Sequence, residues 1–253
     1  PALRQRREIF EQEGWHYEMD DVDGPLRYNG VVFNEMKGAL SDAEDVALQE
    51  LTRALFPDTA YGFESGGDPR AIPSLTYEGF LDTHARHYNL SNAKVILYGD
   101  LEIERELSLL DERYLSCAQP AQGSPNPLAS QKPVTNLQVV RTMATSPENA
   151  TVMVGYVLGT YAQRERMLAA NVLLDALMGS NEAPLKRALL DADLGSDVDA
   201  FLYDGLLQPF VVFELRGARP GRADAFRETL EAELARLVRD GIPRENLEAT
   251  LES

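Results

Sequence analysis

Few side chains in this sequence of 253 residues could carry chemistry. One carboxylate, Glu35, sits in the string Gly30-Val31-Val32-Phe33-Asn34-Glu35-Met36-Lys37-Gly38, among small and apolar neighbours. A lone Glu of this kind is most often a solvated surface residue; its other use is as an oxygen ligand to a metal. The histidines are His16, His84 and His87. The latter two are three apart, whereas His pairs that grip zinc from one helix are four apart. His84 falls on the stripe Tyr77, Phe80, Leu81, His84, Tyr88, so both read as packed, hydrogen-bonded histidines. Cys117 stands at a helix end and reads as a small packing residue, and no Gly-x-Ser-x-Gly elbow is present. The pairs Asp20/Asp21 and Glu44/Asp45 are sequence neighbours, not a facing acid–base pair. Asp20 to Pro25 has the spaced acids of a calcium loop but lacks its closing Glu, and reads as a turn. Gly66-Gly67 has no Lys-Thr after it and reads as a shaped turn.

The elements that must hold these residues follow from periodicity. Residues 3–13 read as a helix ended by Gly14, and Trp15 to Met19 as a strand. The Glu35 helix opens near Asn29. Ser41 and Glu44 have the spacing of a capping box, ahead of a helix whose apolar face is Ala47, Leu48, Leu51 and Leu55 and which Pro57 ends. Residues 61–73 form a loop rich in Gly and Pro. Thr76 caps the helix that carries His84. Ala93 to Tyr98 reads as a buried strand, and Ile103, Leu107, Leu110 and Tyr114 mark an amphipathic helix. Residues 118–133 carry four prolines and form the clearest linker.

Beyond it, Leu137 to Met143 and Thr151 to Leu158 read as strands. A helix between Tyr161 and Met178 is capped by Gly179, and Pro184 opens another. Two β-rich runs near 198–203 and 210–215 flank Asp204-Gly205 as a hairpin with a lengthened loop. Phe226, Leu230, Leu234 and Leu237 give a helix stopped at Gly241 and Pro243, and Leu247 to Leu251 begin one more. The predicted class is α+β: two sandwich units, each a mainly antiparallel sheet carrying helices on one face, divided into 1–117, the linker 118–133, and 134–253.

A net charge of −17 argues against a nucleic-acid partner. The acids are spread along the chain, which suits solubility, although a negative field would also favour basic peptides. No apolar run approaches the length of a membrane span, and no export signal is visible. A single Cys fits a reducing compartment, so a cytoplasmic location is expected.

Several strings, taken in order, share a likeness. They are Glu13-Gly14-Trp15, Asn34-Glu35-Met36-Lys37-Gly38, Tyr61-Gly62 with Ser65-Gly66-Gly67-Asp68-Pro69, Ser91-Asn92-Ala93 ahead of Tyr98-Gly99-Asp100, and Gly179-Ser180-Asn181 with Pro184-Leu185 and Leu194-Gly195. Together they resemble the pitrilysin/insulinase superfamily of zinc metallopeptidases, in its presequence-protease branch, which degrades short peptides. The resemblance implies that Glu35 is the third protein ligand of a catalytic zinc. It implies two His ligands and a general base in a His-x-x-Glu-His string, which this sequence does not contain. The reading is therefore an internal piece of a peptidase, lacking the opening strands of its first unit. Expected partners are peptides and the remaining domains of the same polypeptide, with zinc in the intact protein and none held tightly by this piece alone. The alternative is a catalytically inactive relative acting as a structural or partner subunit.

Overall fold

The computed structural model describes residues 5–116, 118, 129–135, 139, 146 and 150–252. Cys117, the expected strand at 137–143 apart from Val139, and most of the expected linker lie outside these. By packing, the chain forms two units: Pro1–Met36 with Gly66–Pro127, and Lys37–Ser65 with Leu128–Ser253. Residues 37–65, expected in the first half of the chain, thus pack with the second.

In chain order the first half contains α1 (Arg7–Glu13), β1 (His16–Glu18), β2 (Arg27–Asn29), α2 (Val31–Ala39), α3 (Ala43–Leu55), α4 (Tyr77–His87) and α5 (Ile103–Leu110). The second half contains β3 (Val152–Val157), α6 (Arg164–Met178), α7 (Pro184–Asp191), β4 (Asp197–Tyr203), β5 (Phe210–Arg216), α8 (Ala223–Asp240) and α9 (Arg244–Glu252). No described helix is long and apolar enough to cross a membrane.

In the first unit β1 and β2 form an antiparallel hairpin, with Tyr17 opposite Tyr28. Its turn is closed by the Gly24 N–H donating to the Asp21 carbonyl at 2.8 Å, and Asp20 pairs with Arg27. The buried core is small: Phe33, Met36 and Ile72, with Trp15 and Val32 against them. Thr76 caps α4 as expected, accepting from the Gly79 amide at 3.1 Å.

The expected buried strand at Ala93–Tyr98 is not found. These residues are unpaired and exposed, with Ile96 89% and Tyr98 97% accessible. A strand is stabilised by a neighbour that takes up its amides, and none lies alongside among the described residues. The face of α5 carrying Ile103 and Leu107 is also uncovered.

In the second unit the sheet order is β3-β5-β4, all antiparallel. The expected hairpin is β4 and β5, with Tyr203 opposite Phe210. β5 reads Phe-Val-Val-Phe-Glu-Leu, without alternation, and such a run is buried on both faces. On one face Val211, Phe213 and Leu215 meet Leu177, Leu185, Leu189, Phe226 and Leu230 of α6, α7 and α8. Those helices are the expected layer; each large apolar side chain so buried is worth about 2 kcal/mol. On the other face Phe210 and Val212 meet Phe56 and the α3 residues Leu48, Leu51 and Leu55. The helix expected to belong with Glu35 thus covers the second side of this sheet.

The start of α3 differs from expectation in detail. Asp42, not Ser41, is the cap: its carboxylate accepts from the amides of Glu44 at 2.8 Å and Asp45 at 3.3 Å. The Ser41 hydroxyl donates to the Gly38 carbonyl instead. A carboxylate outcompetes a hydroxyl there because its charge also meets the positive helix end. α6 ends at Gly179 and α7 begins at Pro184, as the sequence implied. α8 ends at Gly241, whose φ of 85° suits only glycine comfortably.

Candidate functional site

The helix that carries Glu35 is fixed by its first residues. Gly30 precedes α2 with φ of 147°, and a Cβ there would strike the Gly14 carbonyl oxygen and stand 2.7 Å from Trp15 Cα. Only glycine fits, so the Gly30 of the motif is a close-packing requirement. Asn29 Oδ1 accepts from the Gly30 amide at 2.8 Å and from Asn34 Nδ2 at 2.5 Å. The Phe33 amide donates to the Gly14 carbonyl at 3.3 Å. Trp15 Nε1 donates to the Leu75 carbonyl at 2.9 Å and so anchors the segment before the helix.

Phe33 and Met36 turn inward, three residues apart on one helical face. Gly66 of the glycine pair lies against the Met36 side chain, and Gly67 places Ile72 within 3.4 Å of where its Cβ would be. The expected shaped turn therefore packs on the inner side of α2, one residue from Glu35.

Glu35 itself faces solvent. It makes no hydrogen bond or ion pair among the described residues. The helix holds it out, and no described cation neutralises it.

The histidines do not join it. His16 lies on β1, with Nδ1 2.8 Å from the Glu11 carbonyl. His84 stacks on Tyr88 with ring centroids 4.6 Å apart, and its buried Nδ1 has no hydrogen-bond partner. It is packed as expected but not hydrogen-bonded through that atom. His87 is exposed at the last residue of α4, so it is not the packed histidine expected. The end of a helix turns its final side chain to water when nothing follows to cover it.

Glu44 pairs with Arg216 at 3.1 Å, and Glu44 and Asp45 both lie in the first turn of α3. Among the described residues no three His, Cys, Asp or Glu side chains gather as metal ligands. Among the described residues, the surroundings of Glu35 offer a zinc ion one carboxylate and no second ligand.

The second unit holds a charge cluster that sequence reasoning missed. Glu214, fully buried on β5, pairs with Arg216 at 3.1 Å; Arg216 also meets Asp199 at 2.9 Å, and Asp199 meets Lys186 at 3.0 Å. Burial pushes the Glu214 carboxyl up, Arg216 pulls it back, and Glu44 and Asp199 add to the rise. The Glu within an otherwise apolar β5 was the available signal. The pairs sit on adjacent strands and read as structural.

Comparison with known proteins places the chain. The family model described as "Peptidase M16 inactive domain" matches residues 74–253; Glu35 lies ahead of that match. Protein HypA of Clostridium perfringens is 34% identical over 99% of this chain and 26% of its own length. Presequence protease 1, chloroplastic/mitochondrial, of Arabidopsis thaliana is 33% identical over 96% of this chain and 23% of its own length. The mitochondrial presequence protease of Danio rerio is 32% identical over 99% and 25%. The chain thus spans about a quarter of the length of these relatives. Among solved structures, a protease from Helicobacter pylori superposes with a TM-score of 0.70 at 16% identity, covering 87% of this chain and 53% of that one. The ferredoxin protease FusC, solved with Arabidopsis ferredoxin, superposes with a TM-score of 0.59 at 16% identity, covering 86% and 25%. These two likenesses show the fold. With the ordered strings on both sides of Glu35, the chain belongs to the peptidase family of the M16 inactive domain, within the pitrilysin/insulinase superfamily and beside the presequence proteases.

Proposed function

We propose that this chain is part of a zinc-dependent endopeptidase that degrades short or unfolded peptides, and that Glu35 is the third protein ligand of its metal. The observation that carries this is the setting of Glu35: a solvent-facing carboxylate without an ion partner among the described residues, on a helix pinned by Gly30, Asn29, Phe33 and Met36. A helix anchored on its inner face limits where the carboxylate can go, which is what a metal ligand needs. The two His ligands and the general base come from elsewhere in a longer polypeptide. Zinc, when bound there, acidifies its water and polarises the scissile carbonyl; Glu35 supplies one oxygen and one negative charge toward that site.

The chain alone is accordingly inactive and holds no metal tightly, since affinity requires several ligands held together. Residues 1–117 would end a first peptidase domain and 134–253 begin a second, separated by the Pro-rich stretch. Peptides and the other domains of the polypeptide are its partners, in the cytoplasm, with neither nucleic acid nor membrane among them. The earlier part of that first domain would supply strand neighbours to residues 93–98, which have none among the described residues.

The test is the longer polypeptide. It should contain His-x-x-Glu-His ahead of this chain, bind stoichiometric zinc, and cleave a quenched peptide in a chelator-sensitive way. The second reading, a subunit without chemistry, draws on the description of the matched family as an inactive domain. A parent sequence without that His string would establish it and end the first.

A further inference from the structure

Residues 43–61 reach the second face of the β3-β5-β4 sheet as an arm, and the arm is fastened along its length. At its start Glu44 meets Arg216. In its middle Leu51 and Leu55 lie over Gly155 of β3, where a Cβ would stand 3.0 Å from Leu51 and 3.1 Å from Leu55. Towards its end Phe56 is fully buried against Phe210, with ring centroids 5.6 Å apart. Beyond Phe56 the fastening turns polar, and it runs through a residue 73 positions away. Gln131 Oε1 accepts from the Asp58 amide at 2.8 Å, and Gln131 Nε2 donates to the Asp58 carboxylate at 2.9 Å. A carboxylate accepts and a backbone N–H donates, so the two ends of the Gln131 side chain cannot change places. The backbone of the same residue is held from the other side. Its N–H donates to Gln208 Oε1 at 2.6 Å, and its carbonyl accepts from Gln208 Nε2 at 3.1 Å. Gln208 belongs to the β4–β5 loop, whose Leu207 amide donates to the Tyr61 hydroxyl of the arm at 2.9 Å. Gln131 and Gln208 are both buried.

We propose that Gln131 is a two-sided latch, through which the seating of residues 129–133 on the β4–β5 loop and the docking of α3 on the sheet become one event. The apolar side of α3 makes the helix lie on the sheet, but apolar burial is non-directional and does not fix its position. The bonds at Gln131 are directed and fix the end of the arm. Each is made in a buried setting, where a network that is complete specifies one arrangement and a broken one leaves orphaned groups. Lifting residues 129–133, at the end of the Pro-rich stretch, therefore strips Asp58 of both its bonds to Gln131 and loosens α3. Undocking α3 in turn unseats residues 129–133. The latch lies wholly within the second unit. It involves no candidate metal ligand, so the inference goes beyond the proposed function and does not rest on it.

The experiment is native-state hydrogen exchange on this chain, residue by residue, with the amides of β5 as the reference. Gln131→Leu keeps most of the side-chain size and removes both bonds to Asp58, while the backbone pair with Gln208 stays. The amides of α3 should then exchange at least about tenfold faster, with those of β5 unchanged. Gln208→Leu should speed exchange of the Gln131 amide and of α3 together, because the Gln131 side chain is no longer held in place. Gln131→Glu sets a carboxylate against that of Asp58, and like charges repel. At neutral pH it should speed α3 at least as much as Gln131→Leu does. Adding Asp58→Asn returns a donor to that place, and α3 should recover most of its protection. Circular dichroism checks that each variant is folded, and the rescue carries the test even where Gln131→Leu does not fold. The proposal is overturned if α3 exchange is unchanged in Gln131→Leu, or if β5 speeds up as much as α3. It is overturned equally if Asp58→Asn fails to restore protection in Gln131→Glu.

Discussion

At the scale of single residues, Glu35 is held in place by its neighbours and not by its own contacts. Its exposure, and its freedom from partners among the described residues, leave its oxygens available to a metal. The string around it made it a candidate, and the structure explains part of that string: Gly30 is demanded by the approach of Gly14 and Trp15, and Met36 by the core with Phe33 and Ile72. Glu35 has no comparable packing reason. Glu35→Gln in the intact parent should therefore leave the melting temperature and circular dichroism unchanged while lowering bound zinc. Peptide hydrolysis should fall by at least about a hundredfold, because a neutral amide is a poor ligand. Full zinc content with near-normal turnover in that variant would remove Glu35 from the site. Glu214 makes the opposite case, an acid whose meaning is structural. Its folded carboxyl titrates above the usual range, mainly through burial. The folded state therefore holds that proton more tightly than the unfolded chain. The resulting stability is complete below the unfolded value and is lost as pH rises through the folded one. Denaturant titrations run upward from the ordinary glutamate value should show this loss in the native chain and its absence in Glu214→Gln, relative to the other acids common to both.

At the scale of elements, long periodic segments were legible and short or borrowed ones were not. α6, α8 and the β4–β5 hairpin lie where spacing and turn residues put them, because each buries a full face against neighbours close in sequence. β2 has three residues, too few for any period to show. The cap of α3 slipped by one residue because Ser41 and Asp42 compete for the same amides. The run at 93–98 was read as buried from composition, but burial of a strand depends on what lies beside it. The approach to α2 offers a sharp test of element placement. Gly30→Ala adds a Cβ against backbone atoms that cannot move aside, at a φ that L residues rarely adopt. It should cost at least about 2 kcal/mol, read as a lower unfolding midpoint. Arg216→Met should cost about 2 kcal/mol by stripping Glu214 of its partner, the loss being limited because Glu214 can take up a proton.

At the scale of the whole molecule, the two units are unequally furnished. The second has a sheet covered on both faces and a core running from Leu177 to Leu237. The first buries only Phe33, Met36 and Ile72 among its described apolar side chains and leaves Val95, Ile96, Tyr98, Ile103 and Leu107 in water. Exposed apolar runs of this length ordinarily mark a surface meant to be covered, and relatives about four times as long carry the rest of their chain outside the matched part. The proposed opening strands of the first domain would pair with residues 94–98 and supply them with hydrogen bonds. Amide exchange reads this directly. In the chain of 253 residues, none of the described hydrogen bonds protects residues 94–98, so their amides should exchange at nearly the rate of an unfolded peptide. In the longer polypeptide they should slow by more than about a hundredfold, since an amide in a sheet core exchanges only when the strand opens. The amides of β5, already central in a covered sheet, should be slow in both and serve as the internal reference. Equal, fast exchange of 94–98 in the longer polypeptide would mean that no strand joins them, and that the first unit is completed in some other way.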